Sequence, residues 1–141
     1  MDFTGLAPDT CTMSVRTPLA LITGALLLTA VGIATLMPPG ALPSAPGTDK
    51  MQHFTAFAGV SLVITLIRPG WAWAIMLVLI AYGGLIELVQ PYVGRTRELA
   101  DFVADTLGTV AGSVTALAMV WLAARLRGGS DRQEPDILTE T

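Results

Sequence analysis

The sequence has few of the residues that usually carry redox or metal chemistry, since Cys11 is its one cysteine and His53 its one histidine. A single cysteine excludes an internal disulfide and a cysteine-based structural metal site. The paired-histidine motif of lipid phosphatases, the serine-hydrolase motif, the phosphate-binding loop and the dinucleotide fingerprint are also absent. The sequence therefore favours a role other than catalysis.

Charged residues are scarce as well. They make up 13% of the 141 residues, compared with about 25% in ordinary globular domains. The net charge of −3 offers no basic surface for nucleic acid, so no nucleic-acid partner is expected. The composition is 52% hydrophobic and the mean hydropathy is +0.63, which is more apolar surface than a soluble domain of this size buries. The sequence predicts a membrane protein.

Four apolar runs are long enough to cross a bilayer as helices, which takes about 20 residues. They cover residues 17–37, 49–67, 71–89 and 98–124, and prolines follow the first two. We predict an all-α membrane protein, a bundle of four transmembrane helices. A signal peptide is the alternative for the first run, but the apolar part of such a peptide normally has only about 7–15 residues.

The predicted organisation has three parts. Residues 1–16 form a disordered N-terminal tail, residues 17–126 the four-helix domain and residues 127–141 a polar C-terminal tail. Helix ends that are rich in lysine and arginine tend to lie on the cytoplasmic side of the membrane. Five lie on one side and three on the other: Arg16, Arg68, Arg125, Arg127 and Arg132 against Lys50, Arg95 and Arg97. This count predicts a protein of the bacterial inner membrane with both termini in the cytoplasm.

The conspicuous polar residues occur at helix ends that a four-helix hairpin topology places on one membrane face. Ionisable residues inside spans usually face the bundle interior and mark functional sites. Several are three or four residues apart, so they share helix faces. The predicted ligand-binding cluster comprises Asp49, Lys50, His53, Glu87, Gln90, Arg95, Glu98, Asp101 and Asp105.

The roles inside this cluster have alternatives. His53 is either a general base or metal ligand, or a hydrogen-bond partner, and a lone histidine at a helix start favours the last of these. Its carboxylate neighbours supply enough zinc ligands, but no recognised ligand spacing is present, so neither a metal nor another cofactor is expected. We assign Arg95 to the site and Arg97 to a salt bridge with Glu98 or Asp101.

Small residues recur every four positions in the fourth helix, at Ala104, Gly108, Gly112 and Ala116. Such stripes allow close approach of a second helix. We expect them to serve packing inside the bundle, with oligomerisation as the alternative.

Several motifs are similar to those of VanZ-like membrane proteins over residues 17–124. They are Asp49-Lys50-Met51-Gln52-His53-Phe54, Glu87-Leu88-Val89-Gln90, Gly94-Arg95, Glu98, Asp101 and Asp105-Thr106-Leu107-Gly108. Asp105 departs from the asparagine of the family pattern and, when ionised, only accepts hydrogen bonds. The family is named for a protein associated with low-level resistance to the glycopeptide teicoplanin, and most relatives have no settled activity.

The resemblance and the cluster together suggest a function in the cell envelope. The leading hypothesis is that an outward-facing cluster binds the head group of a membrane lipid or of a lipid-linked envelope precursor. Lys50 and Arg95 would hold anionic oxygens, while His53, Glu87 and Asp101 orient the ligand or exchange protons. The alternative is an accessory subunit packed against a larger membrane protein complex. An enzyme acting on a lipid-linked substrate is the third hypothesis, but no activated nucleophile is evident.

Overall fold

The computed structural model describes residues 15–37 and 48–130 of the chain. The loop predicted after the first helix and the outer parts of both predicted tails lie outside these residues. Within them the protein is all-helical, and four helices are long and apolar enough to cross a membrane. They are α1 (Arg16–Leu36), α2 (Asp49–Ile67), α3 (Ala72–Val89) and α4 (Leu99–Ser130). The expectation of four membrane-spanning helices is therefore met by length and composition.

Local sequence signals set most of the helix ends. The Thr48 hydroxyl caps the start of α2 by accepting a hydrogen bond from the Met51 backbone N–H at 3.3 Å. Pro69 and Pro91 open short 3₁₀ helices, Pro69–Trp71 before α3 and Gln90–Val93 after it. The second of these ends at Gly94, whose φ of 78° is a left-handed conformation that glycine adopts without strain.

Helix α4 continues beyond the boundary predicted from the apolar run. It runs to Ser130, so Arg125 and Arg127 lie within the helix. Arginine, leucine and alanine are good helix formers, and no proline interrupts residues 99–130. The end of the apolar run therefore marks where the side chains become polar, and the helical backbone continues past it.

Helices α2 and α4 form the closest pair in the bundle. A Cβ added to Gly108 would collide with the Phe54 carbonyl oxygen, and one added to Gly112 would collide with that of Ala58. The two backbones are thus in direct contact along the small-residue stripe, where Gly108, Gly112 and Ala116 are buried and Ala104 is half-buried. The stripe packs inside the bundle.

Hydroxyl groups join the same two helices at mid-span. The Ser61 hydroxyl donates to the Thr109 carbonyl oxygen at 2.8 Å and lies 2.6 Å from the Ser113 hydroxyl. Thr65 lies 3.4 Å from Ser113 through its own hydroxyl. All four side chains are fully buried. Hydrogen bonds between spanning helices satisfy groups that lipid cannot.

The apolar core lies among α1, α2 and α3, around Phe57, Leu79 and Ile86. The Tyr82 hydroxyl ties α3 to α1 by donating to the Leu28 carbonyl oxygen at 2.7 Å. The remaining faces of all four helices expose large apolar side chains, as lipid-facing surfaces do. The polar start of α2, end of α3 and start of α4 converge at one end of the bundle, and this convergence positions the site described next.

Candidate functional site

Three chain segments bring the predicted polar residues to one end of the bundle. They are the first turns of α2, the last turn of α3 with its connection to α4, and the first two turns of α4. Direct contacts join α2 to α4, α2 to the α3–α4 connection, and α3 to the start of α4. We call this group the polar cluster; it contains Asp49, Lys50, His53, Glu87, Gln90, Arg95, Glu98, Asp101 and Asp105.

The innermost contact of the polar cluster joins His53 of α2 to Asp105 of α4. The His53 Nδ1 atom lies 2.9 Å from Asp105 Oδ1, and the side chains are 3% and 0% exposed. The second Asp105 oxygen, Oδ2, points toward α3, since a Cβ added to Gly83 would lie 2.9 Å from it. The missing side chain at Gly83 therefore makes room for the Asp105 carboxylate between three helices.

Glu87 fixes the start of α4. Its Oε2 atom accepts a hydrogen bond from the Glu98 backbone N–H at 2.9 Å, directly before the first residue of α4. The first N–H groups of a helix have no partner within the helix, and a carboxylate near them is favourable. Glu87 is buried, so this contact ties the end of α3 to the start of α4 inside the bundle.

Lys50 forms the outer layer of the polar cluster. Its Nζ atom lies 2.8 Å from Glu98 Oε2 and 3.6 Å from Asp101 Oδ1. Lys50 and Glu98 are about half exposed, whereas Asp101 is buried. The ammonium group donates a hydrogen bond to Glu98 and lowers the pKa of Glu98 below the ordinary glutamate value. Both side chains of this pair are about half exposed, so solvent weakens their interaction.

We expect the Lys50–Glu98 pair to make the stability of this end depend on pH. A lowered pKa in the folded state means that the pair stabilises the fold above the ordinary glutamate pKa. That contribution is lost as the pH falls through the lowered value. Infrared titration of wild-type minus Glu98→Gln protein should show Glu98 protonating below the ordinary range, and Lys50→Met should return it to that range. An unchanged Glu98 titration in Lys50→Met would refute the pair.

The two arginines of the α3–α4 connection have different surroundings from those expected. Arg95 pairs with Asp49 through an Nη2–Oδ2 distance of 3.4 Å. Arg97 does not form the expected salt bridge; Lys50 is the cation that lies near Glu98 and Asp101. Among residues 48–130, no ion pair or hydrogen bond engages the Arg97 side chain, which is exposed and lines a groove.

That groove runs between α3 and α4 and has a volume of about 810 Å³. Its walls are mostly apolar, and its polar end is formed by Glu87 and Arg97. The lining residues are Ala81, Gly84, Leu85, Glu87, Leu88, Arg97, Leu99 and Phe102. An apolar groove that ends at a guanidinium group is complementary to a lipid with a hydrocarbon chain and an acidic head group.

The polar cluster contains more buried acceptors than donors. In the described part of the chain, four of its buried oxygens have no hydrogen-bond partner: Glu87 Oε1, Gln90 Oε1, Asp101 Oδ1 and Asp105 Oδ2. Buried polar atoms are normally satisfied, so such a group points to a missing donor or cation. The arrangement is suited to a ligand that donates hydrogen bonds or carries positive charge.

Sequence reasoning did not predict the groove, and it assigned Arg97 to a salt bridge. One sequence feature could have indicated the polar end of the groove: Gly84 and Glu87 are three residues apart, so a position without a side chain and a carboxylate lie on the same face of α3. The apolar residues that line the groove cannot be distinguished in the sequence from ordinary lipid-facing residues, so the groove as a whole could not be predicted.

Comparisons with protein-family models, with curated proteins and with solved structures find no match for this chain. Membership of the VanZ-like family stays a prediction from the motifs.

Proposed function

We propose that this protein binds an acidic lipid or a lipid-linked envelope precursor, with the head group at the polar cluster and one hydrocarbon chain in the α3–α4 groove. The observation that carries the proposal is the apolar groove, which ends at Arg97 and Glu87. Among the described residues the Arg97 side chain has no partner, and only one Glu87 oxygen accepts a hydrogen bond. A polar end joined to an apolar channel complements a molecule that has both parts.

The two charged groups at the groove end favour a particular head group. The Arg97 guanidinium can donate two parallel hydrogen bonds to a phosphate. Glu87 Oε1 lacks a donor and suits a hydroxyl or amino group beside that phosphate. Lys50 and Arg95 already pair with carboxylates, so Arg97 takes over the main phosphate-binding role expected of them.

The excess of lysine and arginine on the other membrane side supports an outward-facing polar cluster in the bacterial inner membrane. At that opposite end, Arg68 lies 4.9 Å from the Trp71 ring and Arg125 lies 4.5 Å from the Trp121 ring, arrangements typical of a membrane interface. The similarity to VanZ-like motifs supports a role in the envelope. The accessory-subunit alternative has less support, because α2 covers Gly108 and Gly112 and leaves these two glycines no room to contact a partner protein.

We expect Arg97→Gln to weaken lipid binding roughly ten- to a hundredfold, because a hydrogen bond to a charged group contributes about 1.5–3 kcal/mol. Gly84→Leu should weaken binding by filling the groove without changing charge, since a Cβ at Gly84 has only ordinary contact with Phe102. Native mass spectrometry after gentle detergent extraction measures the lipid adducts, and titration with defined phospholipids measures the affinities.

Arg127→Gln is the matched control, because it removes an exposed arginine from the far end of α4. It should leave the adducts unchanged. Equal adduct levels in wild-type protein, Arg97→Gln and Gly84→Leu would refute the proposal. A stoichiometric protein partner that co-purifies without any lipid would instead favour the accessory subunit.

A further inference from the structure

We infer that Asp49, His53 and Asp101 form a binding site for a divalent transition-metal ion, of the zinc or manganese class. One ring nitrogen of His53 and one carboxylate oxygen of each aspartate lie within 4.8 Å of one another. The site joins the first turn of α2 to the first turn of α4. Because its ligands come from two helices, no continuous sequence motif identifies the site.

The distances suit an ion after small side-chain movements. Zinc holds nitrogen and oxygen ligands at about 2.0–2.2 Å, which places them about 3.3–3.6 Å apart in a tetrahedron. Closing any pair from 4.8 Å takes at most about 1.5 Å of relative movement. Asp49 is exposed and can make most of that movement by leaving its 3.4 Å contact with Arg95, whereas His53 and Asp101 are buried.

Asp105 supplies the support that metal-binding histidines usually have. Such a histidine donates its other ring N–H to a carboxylate, which fixes the tautomer and the orientation of the ring. Here Asp105 Oδ1 lies 2.9 Å from His53 Nδ1. With Nδ1 engaged by Asp105, Nε2 is the nitrogen assigned to the ion.

An independent observation comes from Asp101. The Asp101 side chain is only 3% exposed, and its Oδ1 atom has no hydrogen-bond partner among the described residues. The Lys50 Nζ atom lies 3.6 Å from the same oxygen, which is beyond hydrogen-bonding distance. A buried carboxylate without a hydrogen bond at this oxygen is costly, and a metal ion would remove that cost.

Lys50 and Arg95 are the competitors for this site, and both are poorly placed to hold it. Lys50 is half exposed and makes its shorter contact with Glu98, at 2.8 Å. Arg95 meets the exposed Asp49 at 3.4 Å. Surface ion pairs of this kind contribute little, so a divalent ion can displace them. One imidazole with two carboxylates suits zinc or manganese and leaves coordination positions open.

The test uses the full chain, purified in detergent, stripped with a chelator and titrated separately with zinc chloride and manganese chloride. Elemental analysis measures zinc stoichiometry, and electron paramagnetic resonance measures bound manganese. We expect one equivalent of at least one ion. Asp49→Asn and His53→Gln should each weaken its binding at least tenfold, and Asp105→Asn about tenfold through the orientation of His53.

Lys50→Met gives a result of opposite sign, because removing the competing ammonium should raise metal affinity several-fold. Asp49 and Lys50 are exposed, so these two variants report on the site even if buried substitutions disturb folding. Glu134→Gln makes the same charge change as Asp49→Asn without altering any of the three proposed ligands, and it should leave binding unchanged. Absence of stoichiometric binding, or equal binding by wild-type protein and Asp49→Asn, would overturn the inference. Neither result depends on lipid binding, because no lipid is added.

Discussion

Gly112→Ala is expected to destabilise the bundle by about 1–3 kcal/mol, the usual range for adding volume to a tightly packed site. The new methyl group would collide with the Ala58 carbonyl oxygen and would lie 2.9 Å from the Ala58 carbonyl carbon and 3.0 Å from the Leu62 nitrogen. All three atoms belong to the α2 backbone, so no side chain can turn aside. The helices must separate, and the hydroxyl contacts beside them must lengthen.

Gly59→Ala provides the control for this experiment. Gly59 lies on α2, and a Cβ there has no heavy atom within 4 Å. Both substitutions bring the same gain in helix propensity, about 1 kcal/mol, so their difference isolates the helix contact. Unfolding in mixed detergent micelles, followed by circular dichroism, measures both. Equal stability of the two variants would show that α2 and α4 are not in backbone contact at Gly112.

Asp105→Ala is expected to cost about 3 kcal/mol, because it leaves the buried His53 Nδ1 without its partner and opens a cavity. Asp105→Asn should cost about 1 kcal/mol, since an amide oxygen of the same shape still accepts from His53. The same unfolding assay distinguishes the two variants.

A double-mutant cycle separates the contact itself from the general cost of changing buried residues. His53→Phe combined with Asp105→Ala should cost less than the sum of the two single changes, because neither partner is then left unpaired. Strict additivity of the two costs would contradict a direct His53–Asp105 interaction.

Much of the fold follows from the sequence because few physical signals define it. Apolar runs of bilayer length fix the number of helices, and prolines at 38, 39 and 69 separate them. Hairpin connections then bring the start of α2, the end of α3 and the start of α4 together. The convergence of Lys50, Glu98 and Asp101 follows from this topology alone.

The choice of partners within the polar cluster was less predictable. Lys50 rather than Arg97 pairs with Glu98. The connection between α3 and α4 turns at Gly94, and residue spacing does not encode its path. The contact from the Glu98 backbone N–H to Glu87 involves a main-chain atom, which has no sequence signature. Spacing therefore identifies which residues gather, and loop geometry decides which of them touch.

The pairing of α2 with α4 has a consequence for biosynthesis. Helix α2 has the lowest hydropathy of the four spans, 1.3 compared with 1.7 to 2.2 for the others. Its buried polar groups, His53, Ser61 and Thr65, find partners on α4, which the ribosome delivers only after α3. In a nascent chain truncated before α4, we therefore expect α2 to insert inefficiently into the lipid. Synthesis of α4 should make insertion of α2 efficient.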